Sequence, residues 1–223
     1  MSENNFIKKS RGKTQKLKDF VTLPLRALAI FEENKWGLSS LQQERFEYAA
    51  REVKGYCLDV GCGKYNLFIK EFLNNNGVGI DVYKYEGLTN ENIVKDITNF
   101  PFPNYSFVSI TFIANLSHIP KSMRDKELAE AYRCLKKGGN IIITMPGAFA
   151  SVIIHKIVYL YDKIFKTNYD VDNIRGMHEE EEYYLRDKEI IARLEAAGFT
   201  DIKKKYFLTQ WGLNHLFTGR KRE

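Results

Sequence analysis

Three aspartates and a pair of glycines have the types and spacing that chemistry requires. Asp59-Val60-Gly61-Cys62-Gly63 reads as the end of an apolar strand, Tyr56–Val60, running into a turn before a helix. Glycines at such a turn let the backbone come close to a ligand. Asp59 sets a carboxylate beside the turn, a poor neighbour for a pyrophosphate but a good one for a cationic amino acid moiety. Asp81 closes a second apolar run, Val78–Asp81, 20 positions after Gly61, where an acidic group accepts hydrogen bonds from ribose hydroxyls. Asp96 follows a third run, Ile93–Val94, and can accept a hydrogen bond from an adenine amino group. The three carboxylates suit a ligand made of ribose, adenine and a cationic tail. Other glycine-turn chemistries fail on detail. A phosphate-binding loop needs Gly-Lys-Ser/Thr, whereas Gly63-Lys64 is followed by Tyr65, and the third glycine of a dinucleotide turn is replaced by Asn66.

These residues need a scaffold of short apolar runs alternating with helical periods, the pattern of a parallel α/β sheet. Further strands are expected at Phe107–Phe112, Asn140–Thr144, Asp201–Phe207 and Leu213–Gly219. Helices are expected at Leu67–Asn74, Lys121–Leu135 and Asp187–Ala197, with Gly138-Gly139 and Gly198 as stops. Upstream, residues 20–54 read as a helical extension with a helix at Leu25–Asn34. Ser39 or Ser40 caps a second helix running through Arg45–Val53. Residues 148–185 interrupt the alternation with an apolar helix and then an acidic stretch, Glu179–Glu182. This insertion reads either as a lid over a ligand site or as a helix packed on the core or on a second subunit.

Residues 20–223 form one domain on this reading, and 1–19 a basic flexible arm with Lys8, Lys9, Arg11, Lys13, Lys16 and Lys18. With 44% hydrophobic and 28% charged residues the chain has an ordinary globular balance. No run approaches the ~18 apolar residues that span a bilayer, and no secretory leader is visible, so a cytoplasmic protein is expected. Cys57, Cys62 and Cys134 have neither disulfide nor zinc-ligand spacing, and no metal site is read. The net charge of +6 fits solvated lysines, an anionic surface or nucleic acid.

Asp59–Gly63, Gly77–Asp81, Asp96-Ile97 and Leu135–Thr144, in that order, resemble the successive motifs of class I S-adenosylmethionine-dependent methyltransferases. The resemblance is strong over residues 56–146 and extends more loosely through Ala196–Phe199. It implies a Rossmann-like α/β fold, a seven-stranded, mostly parallel sheet of order 3-2-1-4-5-7-6 with its last strand antiparallel, flanked by helices. It also implies that Asp59, Gly61 and Gly63 line the methionine side of S-adenosylmethionine, with S-adenosylhomocysteine as product. Asp81 would hold the ribose hydroxyls, Val82 would lie beside the adenine, Asp96 and Ile97 would bind its edge, and Asn115 would lie under the methionine moiety. Two positions depart from the family's pattern: Tyr65 replaces a frequent glycine, and Val108 an aspartate.

A sulfonium is already a good leaving group, so methyl transfer asks mainly for in-line positioning and a deprotonated acceptor. For an alcohol acceptor His118, after the fourth strand, is the first candidate base, and His178, in the insertion, the second. His155 and His215 read as packing or surface residues, and Arg45 as an anchor for an anion or an ordinary surface arginine. The branch resembled best acts on small molecules, lipids or cell-surface sugars. Asn115-Leu116-Ser117-His118 is not the Asn/Asp-Pro-Pro-Tyr/Phe motif of base-amine enzymes, and no Pro-Cys pair exists, which disfavours nucleic acid. The expected acceptor is a small molecule, amphipathic or anionic, lipid-linked or a sugar, and O-methylation is the expected reaction. Peripheral membrane contact and a monomer or homodimer fit the same reading. The rivals are an RNA-associated methyltransferase and a non-catalytic cofactor-binding regulator.

Overall fold

A computed structural model describes residues 10–28, 37–147, 163 and 185–222. Most of the 148–185 insertion, with His155 and His178, lies outside the described residues, as do positions 1–9 of the basic arm.

Four short runs of β-branched and aromatic residues form the parallel part of the sheet: β1 Cys57–Val60, β2 Gly77–Ile80, β3 Phe107–Ile113 and β4 Leu135–Pro146. Two C-terminal strands, β5 Thr200–Tyr206 and β6 Asn214–Arg220, complete it in the order β2-β1-β3-β4-β6-β5. β6 runs antiparallel to both β4 and β5. The expected strand at Ile93–Val94 is reduced to one parallel bridge, Asp81 to Ile93, at the outer edge of β2. The bridge is made by the Asp81 N–H donating to the Asn92 carbonyl at 2.8 Å and the Val94 N–H to the Asp81 carbonyl at 2.9 Å. Asn92 ends it: its side-chain amide, not its backbone, donates to the Gly79 carbonyl at 2.7 Å.

Alternation along β4 explains the two-sided core. Ile141, Ile143 and Met145 face one side, against Leu128, Ala131 and Cys134 of α4 (Arg124–Cys134) and Ile190 and Leu194 of α5 (Asp187–Ala196). Ile142 faces the other side with Phe207 and Leu216, beneath Phe46, Ala49 and Ala50 of α3 (Leu41–Ala50). Between Ile141 and Met145 the strand is covered on both faces, and apart from Thr144 this stretch is apolar, as such coverage asks. β4 starts directly after α4, and Gly138 and Gly139 sit inside a bulge of the strand that separates the Phe107–Leu135 and Ser109–Asn140 pairings. Gly138 has φ +71°, and a Cβ on Gly139 would meet two carbonyl oxygens at 2.8 Å. The expected helix after β1 is present as a short 3-10 turn and a π-helical turn, Phe68–Phe72.

Ser40 caps α3 as expected, its hydroxyl accepting the Gln43 N–H at 3.0 Å. The end of α3 is tied to the sheet by a buried polar chain. Ser109 donates to Asn140 at 2.7 Å, and Asn140 donates to the Glu52 carbonyl at 2.9 Å.

Residues 13–19, expected within a basic arm, lie in a helix, α1 (Lys13–Val21), followed by α2 (Leu23–Leu28). The reason is a buried ion network that the lysine count conceals. Arg11 pairs with Asp19, Glu44 and Glu47, and Arg26 pairs with Glu44, joining α1 and α2 to α3. Asp19 and Glu44 are fully buried, so each carboxylate is held by guanidinium groups rather than water. At the far end of the chain Lys221 is buried, and its ammonium donates to the carbonyls of Tyr132 and Leu135 at 2.6 and 2.9 Å, at the junction of α4 and β4. Among the described residues no helix is long and apolar enough to cross a membrane.

Candidate functional site

Strand register brings the acidic groups together. Val60 pairs with Ile80 on one side and Phe112 on the other, so the turns after β1, β2 and β3 open along one edge of the sheet. That is the edge at which open α/β sheets bind ligands. A cavity of about 570 Å³ lies there, within the ~300–1,000 Å³ typical of small-molecule sites.

Asp59 lies opposite Thr111 in the β1–β3 pairing, and the Thr111 hydroxyl donates to its carboxylate at 2.6 Å. Burial pushes the Asp59 pKa up to about 7, against the Thr111 hydrogen bond and with help from the nearby Asp81 charge. Such a carboxyl is poised to ionise when a cation arrives. Asp81 accepts the N–H of Gly63 and that of Tyr83, each at 3.0 Å, so one carboxylate organises the turns after β1 and β2. Asn115 donates to the Val60 carbonyl at 3.2 Å. It comes so close to Gly61 that a Cβ there would stand 2.3 Å from it, and Gly61 has φ +75°. A Cβ on Gly63 would meet nothing within 4 Å, so this glycine leaves open space beside the turn.

Asp59, Gly61, Gly63 and Asp81 therefore line one cavity. Val82, Ile97, Asn115 and His118 line it too. The loop holding His118 is pinned by fully buried Arg124, which donates to the carbonyls of Ile119 and Ser117 at 2.9 and 3.3 Å. Asp96 is not brought in. Its carboxylate accepts the Thr98 N–H and hydroxyl at 2.9 and 2.6 Å, holding a turn on the protein surface. His215 lies elsewhere, its ring held by Asp187 at 2.8 Å and the Gly212 carbonyl at 3.0 Å.

Tyr65, at the position where glycine is frequent, keeps the backbone that glycine would adopt, with φ 60° and ψ 0°. A left-handed conformation costs a non-glycine residue roughly 1–2 kcal/mol. Two contacts hold it: its N–H donates to the Glu86 carbonyl at 2.8 Å, and its ring lies against Gly87, where a Cβ would meet it at 2.4 Å.

Sequence reasoning missed several wall residues. Tyr83, Tyr85 and Met123 line the cavity, and Tyr83 and Tyr85 stack edge to face at 4.8 Å. Arg45, read from the sequence as an anion anchor or a surface arginine, reaches the cavity from α3, with its Nε buried and without a hydrogen-bond partner among the described residues. Glu127 reaches it from α4, 1% exposed, one carboxyl oxygen likewise unpartnered, with burial pushing its pKa to about 8. A signal for Glu127 existed: it occupies the apolar stripe Glu127–Ala131–Cys134, where an acid has no packing reason to be.

The donor set fits adenosylmethionine: a carboxyl that ionises toward a cation, a second one beside open backbone, and an apolar wall with aromatic rings. Comparison with known proteins agrees. A family model described as a methyltransferase domain matches residues 33–204. No curated protein sequence matches. Among solved structures, the chain is similar to a SAM-dependent methyltransferase from Archaeoglobus fulgidus, at 16% identity and TM-score 0.59, over 84% of this chain and 97% of that one. It is similar to a SAM-dependent methyltransferase from Thermotoga maritima, at 14% identity and TM-score 0.55, over 94% and 95%. It is also similar to phosphoethanolamine N-methyltransferase 2 of Haemonchus contortus in complex with S-adenosyl-L-methionine, at 15% identity and TM-score 0.52, over 92% of this chain and 57% of that one. At such identities these likenesses establish the fold, and the family match covers most of the chain. The chain belongs to the methyltransferase-domain family of class I, S-adenosylmethionine-dependent methyltransferases.

Proposed function

We propose that this enzyme methylates a hydroxyl group of a small anionic or amphipathic acceptor, a sugar or a lipid-linked molecule. The observation that carries the reading is Arg45, a half-buried arginine at the cavity wall whose Nε is buried and has no hydrogen-bond partner among the described residues. Its burial lowers its pKa, and the Glu44 carboxylate opposes that shift. A cation desolvated in this way favours an arriving anion. His118, in the same cavity, is the base that takes the hydroxyl proton as the methyl group leaves the sulfonium. Asp59 holds the ammonium of the cofactor and Asp81 its ribose hydroxyls, with Asn115 under the methionine moiety. Methyl transfer then needs the acceptor oxygen in line with the methyl–sulfur bond.

A lipid-borne acceptor has further support. Phe20, Val21, Leu208 and Trp211 are all exposed, from 46% to 72%, and adjoin one another around the Trp211 indole, which donates to the Phe20 carbonyl. Exposed Lys13 and Lys18 stand on the same α1 helix. Aromatic residues beside lysines suit an anionic lipid surface.

The test is release of S-adenosylhomocysteine across a panel of glycans, lipids, small metabolites and RNA, in the presence of S-adenosylmethionine. Turnover is expected on an anionic or amphipathic alcohol, with His118→Ala lowering kcat by about 10²–10⁴-fold and Arg45→Met raising KM. Turnover on RNA alone, or cofactor binding without turnover on any class, would replace this reading.

A further inference from the structure

Glu127 is the strongest polar feature that the proposed chemistry leaves without a task. It stands in an apolar stripe of α4, is 1% exposed, lines the cavity, and has one buried carboxyl oxygen without a hydrogen-bond partner among the described residues. A buried polar group without a partner costs free energy, and its persistence asks for an arriving one. The end of the cavity at which it sits is fixed by a second contact. One helical turn along, Glu130 accepts the Phe100 N–H at 2.9 Å, so the loop carrying Ile97 and Phe100 is laid against α4. Ile97, Phe100 and Glu127 all line the cavity. Ile97 is at the adenine end of the cofactor on the proposed reading, where Asp96 is the expected hydrogen-bonding partner. Asp96 is not among the residues lining the cavity, and Oδ1 of its carboxylate is taken by the Thr98 N–H and hydroxyl.

We propose that Glu127, rather than Asp96, reads the adenine of the cofactor, its carboxylic acid pairing with the exocyclic amino group and the adjacent ring nitrogen. Adenine offers a donor beside an acceptor, and a neutral carboxylic acid offers the complement, a carbonyl acceptor beside an O–H donor. A carboxylate offers only acceptors. The acid is held neutral by burial, which raises its pKa to about 8. The other titratable and charged groups lining the cavity are Asp59 on β1, Cys62 in the turn after it, Asp81, Tyr83, Tyr85 and Lys95 after β2, His118 after β3 and Arg45 on α3. On its own helix Arg124 is directed to the Ile119 and Ser117 carbonyls, and on α5 Arg193 is taken by Asp125 and Glu189. None of these charges contributes to the shift, whose cause is burial alone.

The inference rests on the cofactor assignment, and calorimetry on the full chain separates the two. The probes are S-adenosylhomocysteine and its 6-deamino analogue, which lacks the exocyclic amino group. The protein is expected to bind the analogue about 10- to 100-fold more weakly, the loss of one or two buried hydrogen bonds. Glu127→Leu is expected to weaken S-adenosylhomocysteine by a similar factor and to discriminate between the probes by less than about threefold, which is the coupling that a double-mutant cycle detects. Glu127→Gln keeps a donor beside an acceptor and should restore the discrimination. Above pH 8 the affinity of the protein should fall about tenfold per pH unit as the acid ionises, a decline absent from the Gln variant. A folded Leu variant that still discriminates against the analogue overturns the proposal. If that variant does not fold, equal affinity of the unsubstituted protein for both probes overturns it. No binding of S-adenosylhomocysteine by the unsubstituted protein removes the cofactor assignment and this inference with it.

Discussion

Asp59 and Asp81 share a cavity but carry different burdens. Asp59 has a pKa of about 7 because it is buried, against an ordinary 3.8. It must be ionised to hold an ammonium, so affinity for S-adenosylhomocysteine should rise about tenfold between pH 6 and 8. Calorimetry on the protein and on Asp59→Asn checks this, since ionisation of the ligand itself is common to both and only the protein should lose the pH dependence. Asp81 accepts two backbone N–H groups and lines the cavity; on the proposed reading it also holds the ribose, so Asp81→Ala should weaken S-adenosylhomocysteine by at least about 100-fold, a loss of some 3 kcal/mol. Unchanged affinity would remove Asp81 from the cofactor site. Both aspartates were legible in the sequence because their positions at strand ends follow from chain spacing alone. Glu127 was only half legible: the apolar stripe marks it as out of pattern, but which face of α4 meets the cavity is set by packing and not by spacing. Asp96 was misleading for the opposite reason: a local turn to Thr98 competes for the carboxylate, and such side-chain turns depend on a rotamer that spacing does not set.

At the level of elements, apolar alternation located the six strands and the helices around them, with shifts of one or two residues at most ends. The largest departure is β4, which begins at Leu135 rather than Asn140, because the two glycines form a bulge in the strand instead of a stop outside it. The missing edge strand is another, reduced to a bridge because Asn92 turns its side chain onto Gly79. The α1–α3 unit was illegible: charges that look solvated in a list of lysines are paired in space through Arg11 and Arg26. Removing one member leaves a buried charge uncompensated, so Arg26→Ala should lower the unfolding free energy by about 3–5 kcal/mol. Denaturant titration measures it, and a change below about 1 kcal/mol would mean that Arg11 alone satisfies Glu44. Ser40→Ala, which removes only a helix cap, should cost about 1 kcal/mol by the same measurement.

Over the whole molecule, two sets of partly or fully buried carboxyl groups among the described residues titrate in separate windows. Asp19, Glu47, Glu130 and Asp187 have pKa values lowered. For Asp19, Glu47 and Asp187 the guanidinium, ammonium and hydrogen-bond partners outweigh an opposing effect of burial, and for Glu130 the Arg133 hydrogen bond leads. Their contribution to stability is present above the ordinary carboxylate range and is lost as the pH falls through it. Asp59 and Glu127 have raised values, so their contribution is present below that range and is lost as the pH rises toward 7 and 8. The ligand-free protein should therefore be most stable near pH ~5, a maximum that thermal melts across pH would locate. A flat profile from pH 5 to 8 would contradict the burial of these two acids.

One small attachment ties the end of the chain to the reaction chamber. The ammonium of Lys221 fastens the last turn of α4 to the first residues of β4, and α4 carries Glu127 and Arg124, which pins the His118 loop. Anything that pulls on the final strand therefore pulls on one wall of the cavity. In a Lys221→Met protein the wall it anchors would be free to drift, and the first sign would be a faster release of nucleoside rather than a slower chemical step.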